Sequence, residues 1–269
     1  MSRVTAGLGA AALTAVLGLA AAAPATADQP ETATHQLKSR AASVTPAAGS
    51  NLVNHGGPVQ TAPKVYVVYW GWTSDPSGEQ AYLNNFLSSV GGTSWLSTVK
   101  QYGASSSSVL SGTWSDSASV PSHPSDSAIQ AEAARAAGHF GAGTSVNVQI
   151  VVATPTGHST RGFGTQWCAY HGAVSSNPNI TYTDLPYMTD AGASCGANSV
   201  RGNLDGVSIV EGHELSEAIT DPLLNAWYDS SGAEIADKCA WINLSTISTS
   251  KGTFAVQPLW SNSAGGCVL

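Results

Sequence analysis

The run from Val207 to Pro222 most constrains what this chain can fold into, because its helical pattern carries charge into apolar company. Val207-Ser208-Ile209-Val210 is largely apolar, and Ala218 and Ile219 adjoin Glu217, so the helix is expected to enter from the core rather than lie on the surface. Inside it stands His213-Glu214-Leu215-Ser216-Glu217, and Pro222 closes it. Residues four apart project from one helical face a single turn apart, which stacks His213 and Glu217. Carboxylates taken out of water need a cation or hydrogen-bond donors. An imidazole nitrogen and a carboxylate oxygen so placed could hold a divalent cation between them. Glu214 follows the first ligand directly, where zinc peptidases with a His-Glu-x-x-His helix keep their general base. Glu217 replaces the second His of that pattern. The plainer alternative is a solvated acidic face, to which Glu211 would also belong.

A catalytic zinc takes three protein ligands and a water. The next acidic cluster is Glu234-Ile235-Ala236-Asp237. In some zinc peptidases a Glu beyond the motif helix completes the site and an Asp orients a ligand His. By that analogy Glu234 or Asp237 is the third ligand and the other its supporting partner. Asp237 is slightly favoured, since a bridged Cys239 would hold it stiffly. His171 is the candidate to act beside Glu214, either donating to a developing oxyanion or ligating, and Tyr170 and Tyr228 could serve likewise. Asp221 lies near the same helical face, but its Thr-Asp-Pro setting reads first as a helix stop.

The start of the chain reads as an export signal over residues 1–27. Arg3 gives the positive end, Leu8 to Ala23 an apolar core, and Ala25-Thr26-Ala27 a small-residue cleavage site. That core is too short and Ala-rich for an anchor, and no later segment approaches the roughly 20 apolar residues of a membrane span. A secreted, extracellular protein without a membrane partner is expected. Cys168, Cys195, Cys239 and Cys267 fit that compartment as two disulfides. Three pairings exist; Cys168–Cys195 with Cys239–Cys267 is favoured, each closing a loop of a few dozen residues. The formal net charge of −7 with no basic run excludes electrostatic nucleic-acid binding.

Residues 28–54 are Ala-, Thr-, Ser- and Pro-rich and read as a disordered lead or short pro-segment. From His55 to Leu269 a single domain is expected, as a monomer. Val65 to Gly71 and Val146 to Val152 are β-branched runs that suit buried strands. Apolar residues at helical spacing from Tyr82 to Val90 predict a helix, and Trp95, Leu96 and Val99 a second. Ser125-Asp126 caps another over Ala128 to Phe140. Further strands are expected at Val109 to Trp114, Trp167 to His171 and Ile180 to Tyr187. The Trp residues at 70, 72, 227, 241 and 260 lie beside Gly- and Asn-rich segments, where exposed rings would stack on sugars, although core packing is the commoner role.

These stretches also resemble a known family. Pro63 to Gly71, Trp167-Cys168-Ala169-Tyr170-His171, Gly212 to Pro222, Asn225-Ala226-Trp227-Tyr228, Glu234 to Cys239 and Gln257 to Asn262 are similar to the plant EXORDIUM (phosphate-induced) family and its secreted bacterial relatives. The likeness runs through most of the chain after residue 55. It implies an extracellular, wall-associated protein. The retained His-Glu-x-x-Glu and Glu-x-x-Asp imply a zincin-like α/β fold, with a mixed sheet and a metal-binding helix. The expected function is that of a secreted metal-dependent hydrolase, most simply a zinc metallopeptidase acting on a peptide or protein. Metal would be held by His213, Glu217 and Asp237 or Glu234, with Glu214 and His171 as catalytic groups. The alternative is a non-catalytic module that binds cell-wall glycan and keeps a structural cation, calcium being suited to oxygen-rich ligands.

Overall fold

The structure, a computed structural model, describes residues 1–2, 35–40, 50–107 and 109–269. The export signal and most of the lead lie outside the described residues. In chain order the strands and helices begin with β1 (His35–Lys38), β2 (Val53–Asn54), β3 (Lys64–Trp70), α1 (Glu79–Ser89) and β4 (Leu110–Asp116). The middle of the chain supplies α2 (Asp126–Phe140), β5 (Val148–Ala153), β6 (Trp167–Val174), β7 (Asn177–Leu185) and α3 (Asp205–Thr220). Small strands finish it: β8 (Trp227–Tyr228), β9 (Ser245–Thr249), β10 (Gly252–Val256), β11 (Leu259–Ser261) and β12 (Gly266–Val268).

Six strands form one mixed sheet in the order β1-β6-β7-β5-β3-β4. β4, β3, β5 and β7 run parallel, while β6 is antiparallel to β7 and β1 antiparallel to β6. The central strands are apolar on both sides because both sides are covered. Along β3, Val65, Val67 and Tyr69 join one core with Leu83 and Phe86 of α1 and Val210 and Leu215 of α3. Val68 and Trp70 join a second core with Ile129, Ala133 and Ala136 of α2. Helices thus sandwich the sheet, α1 and α3 on one face and α2 on the other. Ser125 caps α2, its side chain accepting from the amide of Ala128.

The mixed α/β sheet and both expected disulfides, Cys168–Cys195 and Cys239–Cys267, are present. Two expectations need correcting. Within 28–54, expected as a disordered lead or short pro-segment, the described residues are ordered: residues 35–38 form β1 at the sheet edge, with Leu37 only 1 % exposed, and Val53–Asn54 form β2 against β8. Four polar-to-apolar residues carry too little pattern to be seen as a strand, and their order comes from β6. The helix expected at Trp95 is a 3-10 helix, Leu96–Tyr102, ended by Gly103 in the left-handed region. Core packing, the commoner role, is what these Trp residues show: Trp70 and Trp260 are buried, while Trp72, Trp227 and Trp241 are half-buried against the core.

Candidate functional site

All sixteen residues of α3 are buried, which disposes of the solvated-face alternative. The helix passes so close to its neighbours that side chains must vanish at two positions. A Cβ at Gly206 would collide with the Cys195 carbonyl oxygen, and one at Gly212 would press on the Trp95 ring at 3.0 Å. Asp205 anchors the approach, one carboxylate oxygen accepting from the amides of Val200, Arg201 and Gly202. Asp221 ends the helix: its Oδ1 accepts from the amides of Asn225 (2.6 Å) and Ala226 (2.7 Å). It therefore serves as the helix stop its sequence suggested.

The helix delivers His213 and Glu217 to one point, with His213 Nε2 3.1 Å from Glu217 Oε1. Asp237 Oδ1 stands 3.6 Å from the same nitrogen. One donor atom from each of His213, Glu217 and Asp237 falls within 4.8 Å of the others. Ligands about 2.1 Å from a tetrahedral zinc stand about 3.4 Å apart, and the two distances at His213 bracket that value. Glu214, one residue on, points toward the sheet, where its Oε2 meets His171 Nδ1 at 3.1 Å. The alternation of β6 explains that meeting: Tyr170 packs on the α2 side, so His171 faces α3. Tyr170 is consequently on the wrong face to serve the site. Tyr228 is half-buried and stacks on His55, ring centroids 3.6 Å apart.

A second group, His171, Glu217 and Glu234, shares Glu217 with the first. It is looser. Glu217 lies 3.8 Å from Nδ1 of His171 and Glu234 3.9 Å from its Nε2, two nitrogens on opposite sides of one ring. Each group needs only one atom from each residue, and Nδ1 of His171 also meets Glu214. Asp237 stands beside His213, while Glu234 stands beside His171 and Asp221.

That loop is held from several sides. The Asp237 amide donates to Glu217 Oε1 at 3.0 Å, and the Glu234 amide to Asp237 Oδ2 at 3.2 Å. Gln257 donates to the Ala236 carbonyl, and the Trp260 amide to that of Ile235. Lys238 forms a buried pair with Asp229 at 2.7 Å, and Cys239 is bridged to Cys267. Burial would raise Asp229, but the Lys238 ammonium and the Ser231 hydroxyl and amide hold it well below the usual carboxylate range.

The electrostatics describe acidic crowding. Burial, then the neighbouring Glu217 carboxylate, pushes Asp237 up to about 7. Burial and Glu217 also lift Glu234 well above its ordinary value. Burial alone would lower His213, yet Glu217, Glu214 and Asp237 together raise it to about 10. His171 is opposed in the same way, burial lowering it and the Glu214 hydrogen bond raising it further. Glu211, a turn before Glu214, is fully buried, and neither carboxylate oxygen has a hydrogen-bond partner among the described residues; burial and then Glu214 raise it well above its usual range. Repulsion among Glu214, Glu217, Glu234 and Asp237 is what a bound cation would relieve. One imidazole and two carboxylates make a donor set that a divalent cation could take.

No protein-family model matches the chain, and no solved structure matches it. Among curated proteins it is similar to "Protein EXORDIUM-like 5" of Arabidopsis thaliana, 27 % identical over 241 residues. The alignment covers 71 % of this chain and 65 % of the plant protein, so the chain spans under two thirds of that relative's length. An EXORDIUM-like relationship accords with the residues quoted for it. No helix among the described residues is long and apolar enough to cross a membrane.

Proposed function

We propose that this is a secreted metal-dependent hydrolase of the zinc metallopeptidase type, acting on peptide bonds. The observation that carries the reading is the convergence of His213, Glu217 and Asp237 beside a buried Glu214 that is itself held by His171. His213, Glu217 and Asp237 would hold the ion, and Glu234 would support them from behind. A divalent zinc bound there supplies charge that polarises a substrate carbonyl and acidifies water.

The chain's own groups then have defined tasks. Glu214 accepts a proton from the attacking water and returns it to the nitrogen that leaves, so that the proton lost by water ends on the amine. His171 fixes the direction of the Glu214 carboxylate through Nδ1 and shares its charge. Glu217 has a second task that the ordinary His could not perform, accepting the Asp237 amide and so fastening the loop to the helix. A second anionic ligand also offsets more of the cation's charge than an imidazole would, which favours modest rates.

Zinc content and turnover test the reading together. Wild type loaded with zinc should retain about one ion per chain by plasma mass spectrometry and cleave a denatured protein substrate. Glu214→Gln should keep the ion and lose activity by about 10²-fold or more, while His213→Ala should lose the ion itself. Retention of calcium indifferent to His213, with no cleavage, would instead favour a structural cation.

A further inference from the structure

We infer that the edge of β6 beside α3 is a binding groove for an extended peptide, and that residues 36–40 of this chain fill it as a built-in occupant. The first ground is position. β1 is the terminal strand of the sheet, paired antiparallel to β6 with Leu37 opposite Ala169, and β6 would otherwise present an open edge beside the metal-site helix.

The second ground is how the segment is gripped. The Ser39 amide donates to the Gln166 carbonyl at 3.1 Å, and the Arg40 amide to the Ser194 carbonyl at 3.0 Å. From the other side the Trp241 indole N–H donates to the Lys38 carbonyl at 2.7 Å. Each of these bonds uses the strand's main chain, which any peptide offers; this is recognition by strand addition. Side-chain demands are few. Leu37 is buried in the core that also takes Cys168, Ala169 and Cys195, while Gln36 is half-exposed and Lys38 exposed. The groove so defined takes one aliphatic side chain, with tolerance on either side.

The third ground joins the groove to the chemistry, and it rests on the reading of Glu214 given above. The Leu37 amide points away from β6 and toward Glu214 Oε1, 3.4 Å distant. The nitrogen of the Gln36–Leu37 peptide bond therefore faces the carboxylate that would protonate a leaving nitrogen. A substrate strand would present its amide in the same way. While residues 36–40 remain there, a second strand has no edge to join, and covalent attachment gives them an effective concentration on the order of millimolar.

The test is peptide binding, which needs no turnover. A capped, fluorescein-labelled peptide of sequence His-Gln-Leu-Lys-Ser-Arg would be titrated by anisotropy into the full chain and its Leu37→Asp variant. The variant, having lost its occupant's anchor, should bind at least tenfold more tightly than wild type, and a peptide with Asp in place of Leu should not bind. If Leu37→Asp does not fold, Leu37→Ala shortens the occupant's anchor alone and leaves the groove intact, and it should raise affinity at least fivefold. A folded variant that binds no better than wild type overturns the groove, whatever the chain hydrolyses. Tight binding by a zinc-loaded variant that never cuts any peptide supports the groove and sinks the hydrolase.

Discussion

A single buried carboxyl shows how the site's surroundings set the pH range of the whole fold. Asp184, on β7, is fully buried, and burial pushes it up to about 7 despite a short bond from the Thr160 hydroxyl, with Asp126 adding to the rise. Its unfolded value is near 3.8. The folded state therefore holds the proton more tightly, and the advantage is complete below pH 4 and lost as pH rises through 7. Asp184→Asn, which keeps an acceptor for Thr160, should raise the melting temperature at pH 8 and leave it unchanged near pH 4. Calorimetry at both pH values reads this, at about 2–4 °C per kcal/mol for a domain of this size. At this scale the sequence was most legible where chemistry lies close along the chain. The four-residue spacing placed His213 and Glu217 correctly on one face. It left Asp237 and Glu234 as alternatives, because they lie 17 and 14 residues beyond Thr220, the end of the helix, and only the packed loop decides which faces His213 Nε2. Glu211 shows a different limit: the alternative of a solvated acidic face fails there, since it lies in the core with no hydrogen-bond partner among the described residues, a placement no local pattern announces.

Elements that bury two faces announced themselves, and elements that depend on a neighbour did not. β3 and β5 stood out as β-branched runs, and α2 through its Ser cap and Ala-rich face. β1 and β9 are short and largely polar and β12 is only three residues long, with their order supplied by the strand alongside. α3 was found from its charge, but its glycines gave no hint of why they were there. Gly206 marks the point where α3 crosses the Cys195 backbone, and Gly212 the point where it meets Trp95. Gly206→Ala should accordingly destabilise the fold by about 3 kcal/mol or more, since the obstacle is main chain held by a disulfide and cannot turn aside. On an exposed helix the same change would stabilise by about 1 kcal/mol, so urea denaturation gives opposite signs for crowding and propensity.

For the molecule as a whole, the two disulfides divide the labour around the site. Cys168–Cys195 ties β6 to the segment leading into α3, and Cys239–Cys267 ties the Asp237 loop to the C-terminal strand β12. Replacing Cys239 and Cys267 together by Ser should lower stability by about 3 kcal/mol while leaving the sheet intact by circular dichroism. Zinc retention should fall with it, because Asp237 would then be positioned only by hydrogen bonds and the Lys238–Asp229 pair; a competing chelator read by absorbance measures the change. In a reducing cytosol these four sulfurs stay thiols, so a newly made chain carries its helix of acids without a firm third arm to complete it. The hydrolysis proposed above would then begin only where the surroundings turn oxidising.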